Sequence, residues 1–439
     1  MLQRLQQPEK SPGLPIAQAA YPAPFRQGLE FNAPVHGTWN IVHIGMQLPQ
    51  SHQIYICAIN CMRGVVLTAA EMGLRDRFSC VVLEERDLQD GTLEDKTIAG
   101  VLDIVRRLPQ KPKAVLVFTV CVHHFLGCDL DYIYRKLREA EPDVTFLRCY
   151  MDPLLQKEGP TPDQKLRAAL FEPLQPGARE KNAVSILGSD FAVDATSELQ
   201  QLVRASGRRL WQLPECKSWE EYLQLGKSEL FLAVYPNART SAEAHAKRLG
   251  SRFLYLPASF SYREIRQELE QLAAALGIPA PSWEDSVKAC EAALQKAREA
   301  VGDRPVAIDY TVHPRPLGLA RLLLQHGFSV QRVYLDAVSP EEEADFYALQ
   351  AEQPELELLP TIQPGMRVLP RNCPETVAIG QKAAWFCGTA HFVNLVSGAG
   401  LWGFDGIRRM AELIREAALE EKDTRDIVPR KGWGCESCL

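Results

Sequence analysis

The sequence predicts an α/β fold of three doubly wound parallel-sheet units around a common cleft. Two patterns carry that expectation. Short β-rich apolar runs alternate with longer segments of helical period, and Pro and Gly cluster at joints that divide the chain into three similar pieces. A length of 439 residues agrees, being about three times that of a usual single domain.

Taken in order, strands are predicted at 54–59, 78–83, 114–120 and 144–149, then at 183–187, 230–234 and 253–256, then at 305–310 and 329–335. Their content of Val, Ile, Leu and Phe suits parallel strands covered on both faces. Helical period predicts helices over 65–75, 93–108, 130–139, 262–276, 317–326 and 405–419. Ser218 with Glu221, Ser261 with Glu264, and Ser339 with Glu342 have capping-box form, the last with Pro340 at the first helical position. The joints fall at 151–162, 173–179, 277–281 and 364–374. They set boundaries near 183 and 302, giving an N-terminal arm (1–35), units at 36–182, 183–301 and 302–421, and a polar tail (422–439). Ligands of open parallel sheets collect beyond the carboxyl ends of the strands, so three such ends facing one cleft would be the functional centre.

Composition excludes several classes of function. Apolar residues make up 46% and charged residues 24%, which is enough apolar material to bury several cores. Lys and Arg number 49 against 55 Asp and Glu, a net charge of -6, and no basic run is present to follow a phosphate backbone or an anionic leaflet. Neither nucleic acid nor membrane is expected as a partner. The first twenty residues lack the apolar core of a secretory signal, so a cytoplasmic location is expected.

Twelve cysteines in a long chain of this kind point to metal, redox chemistry or reduced core thiols rather than to disulfides. Cys57 and Cys61 are read as closing one strand, and Cys121 as closing another. Cys128 follows in the same loop, just before Asp129 opens a helix. Four thiolates could converge there, as a cubane iron-sulfur cluster requires. Arg63 and Gly64 follow Cys61, and a guanidinium beside a helix N-terminus favours thiolate over thiol. Reduced core thiols and a four-cysteine zinc site are the competing readings. His123 and His124, between the second pair, read equally well as hydrogen-bonded loop residues or as ligands and proton donors. The terminal Cys435-Glu-Ser-Cys438 is either a metal or redox half-site or a frayed end, and the remaining six cysteines stand alone.

Ser51-His-Gln-Ile-Tyr-Ile-Cys-Ala-Ile-Asn-Cys-Met-Arg-Gly, followed by Val117-Phe-Thr-Val-Cys-Val-His-His-Phe-Leu-Gly-Cys-Asp, resembles the nitrogenase component 1-type oxidoreductases, and within them an uncharacterised nitrogenase-like branch. The likeness continues through Ile186-Leu-Gly-Ser-Asp, Ala233-Val-Tyr-Pro-Asn and Phe386-Cys-Gly-Thr-Ala-His to Gly403-Phe-Asp-Gly406, covering nearly all of the chain beyond its arm. It implies three doubly wound domains as in nitrogenase component 1 subunits, a homodimer or a heterodimer with a second component 1-like subunit, and an iron-sulfur cluster near the subunit interface. It also implies electrons from a separate ATP-dependent iron-sulfur reductase. Cys61 and Cys121 match two of the family's three interface ligands. No cysteine stands near Asn32 to His36, where the third would fall, while Cys57 and Cys128 are additional. These departures point to a [4Fe-4S] cluster on Cys57, Cys61, Cys121 and Cys128, within one chain or shared across a dimer, rather than a larger bridging cluster with three ligands from each chain.

Dinitrogen-reducing members anchor a second cofactor through one cysteine and one histidine. The matching positions here read Val234-Tyr-Pro-Asn and His391-Phe-Val-Asn, which implies another substrate or a different second cluster in the cleft. His391, His124 and Tyr235 are the candidate proton donors. No nucleotide motif is complete. Gly226-Lys227-Ser228 would need a glycine where Glu221 stands, and Gly398-Ala-Gly-Leu-Trp-Gly403 leaves too little chain after it for a dinucleotide unit. Electrons must then come from outside. The expected activity is reduction of an unidentified substrate at low potential, with an iron-sulfur cofactor assembly scaffold and a zinc-stabilised sensor or ligand-binding protein as alternatives.

Overall fold

The computed structural model describes residues 11–26, 28–35, 37–152 and 159–428. Cys435 and Cys438 lie outside them. Strand β1 (Leu14–Pro15) stands apart at the start. The first sheet comprises β2 (Ser51–Cys57), β3 (Phe78–Val82), β4 (Ala114–Val120) and β5 (Thr145–Met151), in the order β3-β2-β4-β5. The second comprises β6 (Glu180–Ile186), β7 (Arg209–Gln212), β8 (Ser228–Ala233) and β9 (Arg252–Tyr255), in the order β7-β6-β8-β9. The third takes β10 (Pro305–Asp309), β11 (Ser329–Tyr334), β12 (Glu357–Leu359), β13 (Val377–Ile379) and β14 (Phe392–Val393), with β1 pairing antiparallel at the edge. All other pairings are parallel. Each sheet reverses its strand order beside its first long strand, which opens a crevice at the carboxyl ends.

Helices supply the crossovers that parallel pairing requires. Helix α1 (Ile41–Met46) leads into β2 and α2 (Ile59–Glu71) joins β2 to β3. Next, α3 (Glu85–Gln89) and α4 (Leu93–Arg107) join β3 to β4, α5 (Cys121–Phe125) and α6 (Leu130–Ala140) join β4 to β5, and α7 (Pro162–Ala169) follows. Helix α8 (Glu198–Ala205) comes after β6, α9 (Trp219–Gln224) after β7 and α10 (Arg239–Leu249) after β8. Helices α11 (Tyr262–Leu276) and α12 (Glu284–Val301) precede β10; α13 (Pro316–Gln325), α14 (Glu343–Glu352), α15 (Gln381–Cys387) and α16 (Gly403–Leu419) complete the set. None is long and apolar enough to cross a membrane.

Two compact units result. Trp39–Asp190 with Arg208–Tyr255 holds the first two sheets, and Phe191–Gly207 with the chain from Leu256 holds the third together with α8 and the leading segment. Within the first unit, one face of sheet one carries Tyr55, Cys57, Phe118 and Cys149 against α2, α7 and the second sheet's Phe231 and Ala233. The opposite face carries Ile54, Ile56, Val115 and Val117 against α4 and α6. This division follows from the two-residue period of a strand. Each fully buried Leu, Ile or Phe contributes roughly 1.5–3 kcal/mol. Arg77 closes the amino end of the sheet, donating to the carbonyls of Met46 (3.0 Å), Leu48 (2.6 Å) and Ser51 (3.1 Å).

Two local expectations are corrected. Helix α2 starts at Ile59, not at 65, because its N-cap is Ala58, which has no side-chain acceptor to announce it. Cys61 therefore lies in a helix rather than closing a strand, and Cys121 opens α5 rather than ending β4. Ser218 and Ser261 do cap α9 and α11. Ser339 does not cap a helix: Glu342 turns inward and accepts from Leu317 N (2.6 Å) and Gly318 N (3.0 Å), capping α13 instead.

Candidate functional site

The paired strands β2 and β4 end side by side, and each feeds a helix whose first turn carries a cysteine. Cys61 is exposed and Cys121 half-buried. The Cys61 amide donates to Ala58 O at 2.9 Å, which fixes the turn. Arg63 and Gly64 continue α2 and are exposed. Around the two thiols stand apolar side chains that the fold leaves in water: Ile59 is 69% exposed, Phe125 70%, Leu126 53%, and Val82 at the end of β3 39%. Single exposed apolar residues are ordinary; these four share the carboxyl end of sheet one.

Cys57 and Cys128 sit differently. Cys57 is wholly buried in the core shared with Val65 and Ala69 of α2, whereas Cys128 packs on the opposite core with α4 and α6. Burial pushes the Cys57 thiol up to about 12, with Cys80 and Cys61 nearby adding to the rise. Burial also pushes the Cys128 thiol up to about 11, reinforced by the Glu94 carboxylate. Both therefore rest as protonated thiols in the metal-free fold. The four thiols expected at one site come from both faces of the sheet, Cys57 on one and Cys128 on the other. Among the described residues no group of three His, Cys, Asp or Glu side chains is placed to hold a metal ion.

The histidines divide by role. His123 is buried, accepts from Val120 N at 3.3 Å and lies 3.4 Å from Thr97 Oγ1, so it secures the start of α5; burial lowers its pKa. His124, its neighbour, is exposed beside Phe125 on the same turn as Cys121. His391 lies in the other unit, where its Nδ1 donates to Ala417 O (3.0 Å) near the end of α16. That proton is committed to a helix carbonyl, a favourable place for a donor.

Tyr235 follows β8, and the Arg167 guanidinium lies over its ring at 4.8 Å. Arg167 itself is 2% exposed and meets Asp190 at 2.7 Å, Asp163 at 3.3 Å and the Gly188 carbonyl at 2.6 Å. Asp190 follows β6 as Tyr235 follows β8, so the ion pair lies beyond the carboxyl ends of these paired strands. Nothing in the sequence singles out Arg167; only its spacing of four from Asp163 along α7 hints at a partner.

The third sheet has its own polar cluster at the carboxyl ends. Asp309, fully buried, accepts from Thr311 N (2.7 Å) and Ala383 N (2.6 Å), and burial raises its pKa. Lys382 donates to Tyr310 OH (2.6 Å) and Thr361 Oγ1 (3.0 Å). Gly380, at φ 117°, lets the chain pass Asp309 where a Cβ would come within 2.3 Å of its carboxylate.

The sequence model of the family described as nitrogenase component 1 type oxidoreductase matches residues 57–370. Among solved structures, nitrogenase Cp1 at pH 6.5 is similar with a TM-score of 0.68 at 13% identity, covering 90% of this chain and 94% of that one. Nitrogenase Cp1 at pH 5 is similar with a TM-score of 0.62 at 12% identity, covering 90% of each. At such identity the likeness is one of fold. No curated protein matches the sequence.

Proposed function

The chain belongs to the nitrogenase component 1 type oxidoreductases, and from that premise we propose that it is the cluster-bearing component of a two-component reductase. In this reading Cys61 and Cys121 hold an iron-sulfur cluster jointly with thiols of a second copy or of a component 1-like partner. The observation that carries it is the pairing of two accessible cysteines at adjacent strand ends with the exposed apolar rim of Ile59, Phe125 and Leu126. A partner seated on that rim would exclude water from both thiols, which a reactive low-potential centre needs.

The chain's own groups have distinct tasks in this scheme. Cys61 lies in the first turn of α2 and Arg63 follows it, so a guanidinium is close in the chain to the proposed ligand. When bound, an iron-sulfur cluster supplies one-electron storage. His124 is the proton donor best placed to serve the cluster end of the sheet, since it is exposed on the turn that carries Cys121. His391 and Tyr235, expected as donors alongside it, are engaged with Ala417 O and with the Arg167 cation. Electrons come from a separate ATP-dependent iron-sulfur reductase.

The substrate is proposed to be a molecule with an unsaturated or heteroatom bond, and not dinitrogen. Where the resemblance would put a second cofactor's anchor, Val234-Tyr-Pro-Asn stands beside a crevice packed with Arg167, Asp190 and Tyr235. Buried charge of this kind is itself a filling.

Anaerobic purification of single variants tests the ligand assignment. Cys61→Ala and Cys121→Ala are each expected to lose most of the bound iron and sulfide together with the visible charge-transfer absorbance, while Cys128→Ala keeps them. Equal loss from Cys128→Ala would restore the four-thiol arrangement within one chain. Zinc without sulfide would move the protein to the sensor class. A cluster that passes to an apo-acceptor without any substrate turnover would mark an assembly scaffold.

A further inference from the structure

Cys373 and Cys387 stand apart in the sequence, yet the fold sets them side by side in the unit of the third sheet. The Cys373 amide donates to the Cys387 carbonyl at 2.9 Å. That closeness is what a disulfide needs, its Cα atoms lying about 4.4–6.8 Å apart. Cys387 closes α15 and is wholly buried, while Cys373 is half-exposed in the segment leading to β13.

One cation serves both sulfurs. Arg332 Nη1 donates to Cys373 Sγ at 3.1 Å, and its Nε is held by Glu357 at 3.1 Å, which fixes the guanidinium in place. Tyr334 OH lies 3.7 Å from Cys387 Sγ. Burial pushes the Cys387 thiol up, the Tyr334 hydroxyl and the Arg332 guanidinium hold it back, and the adjacent Cys373 adds to the rise. The arrangement is asymmetric: an accessible sulfur beside a positive charge, backed by a sheltered one. An attacking and a resolving thiol are arranged in this way.

We propose that Cys373 and Cys387 form a thiol–disulfide exchange site that takes small-molecule disulfides. Cys373, as thiolate beside Arg332, attacks one sulfur of the small disulfide; that S–S bond breaks, and one half leaves as a thiolate that takes up the proton Cys373 gave up. The protein then carries a mixed disulfide. Cys387 attacks the Cys373 sulfur, the second half departs as a thiolate, and the Cys387 proton converts it to a thiol. Two protein thiols have been oxidised by two electrons and one small disulfide reduced to two thiols. The new bond ties the segment before β13 to the end of α15, whose first turn carries Lys382 at the carboxyl end of the third sheet.

The test equilibrates the full-length protein, purified without oxygen, in mixtures of reduced and oxidised glutathione, then alkylates free thiols and maps peptides by mass. A linked Cys373–Cys387 peptide is expected to grow as the oxidised share rises. Cys387→Ser should stop at a glutathionyl adduct on Cys373, and Cys373→Ser should leave Cys387 reduced. Arg332→Gln should slow the first step, because the guanidinium hydrogen bond to the attacking sulfur is lost. Complete alkylation of both thiols in the folded wild-type protein at every mixture overturns the proposal, and so does a bridge from Cys373 to any other cysteine. The wild-type map decides even where a variant fails to fold, and it reads no iron, so it stands apart from the cluster assignment.

Discussion

Arg167→Met is expected to destabilise the protein by about 3–5 kcal/mol, the usual cost of removing one member of a buried ion pair. The arginine is 2% exposed, and Asp190 beside it is equally buried. Without the guanidinium the Asp190 carboxylate keeps its burial and loses its counter-charge, and the Gly188 carbonyl loses the donor at 2.6 Å. Tyr235 loses the cation over its ring. Because the pair closes the crevice of the second sheet, the loss should appear as a lower urea midpoint and weaker near-ultraviolet dichroism, with the other helices intact. The double variant Arg167→Met with Asp190→Leu should recover most of the loss, since an apolar replacement of both partners removes the desolvation problem along with the attraction. A single variant within 1 kcal/mol of wild type would mean that the pair is not what packs this crevice.

Stability should peak near pH 6.5 and fall on both sides, and Glu268→Gln should remove much of the alkaline fall. Glu268 is buried on α11, and its Oε2 has no hydrogen-bond partner. Burial pushes its carboxyl up to about 9, the Arg315 cation pulling the other way and Glu264 adding to the rise. Burial likewise pushes Glu342 up to about 8, against the Gly318 amide, Arg315 and the Leu317 amide. A carboxyl raised in the fold holds its proton where the unfolded chain has released it. Stability from these groups is thus full below the ordinary carboxyl range and lost as pH rises toward 8 and 9. The histidines act in the opposite direction. Burial lowers His52 and His245 to about 4 and His313 to about 3, with Arg77, Arg248 and Arg315 respectively adding to the effect. The unfolded chain binds those protons first, so stability falls as pH drops below 6.5. Glu268→Gln mimics the neutral acid. It should lie within about 1 kcal/mol of wild type at pH 5 and exceed it by about 4–5 kcal/mol at pH 8. Denaturant midpoints across pH 5–9 measure this, and parallel curves for the two proteins would contradict it.

The sequence showed the longer strands and β9, and not β1, β7, β12, β13 or β14. Runs such as Ala114–Val120 are apolar but for Thr119 and bury every residue, so their composition announces them. Strand β7 does not: Arg209 at its head stacks on Trp211 at 3.6 Å, and the segment gains its strand character only by pairing with β6. Strands β13 and β14 are too short to show any period. The cysteine motifs carried a family likeness, with which the family model that matches residues 57–370 agrees. Which thiols could meet was not legible. Cys57 shares its side of the sheet with Tyr55, as strand alternation dictates. Cys128 packs on the other side, and the next residue's amide donates to Glu94 of α4, a matter of tertiary packing. The neighbours of Arg167, and the meeting of Cys373 with Cys387, are likewise long-range facts that no local pattern encodes.

The central claim is that Cys61 and Cys121 carry inorganic iron and sulfide at a surface shared with a second chain. Oxygen-free purification, with metal and sulfide analysis and native mass on the same sample, tests it most directly. A brown oligomer whose iron and sulfide match, and which splits into colourless single chains when Cys61 is replaced by alanine, is the result expected. A colourless single chain that takes up no iron on reconstitution would contradict it.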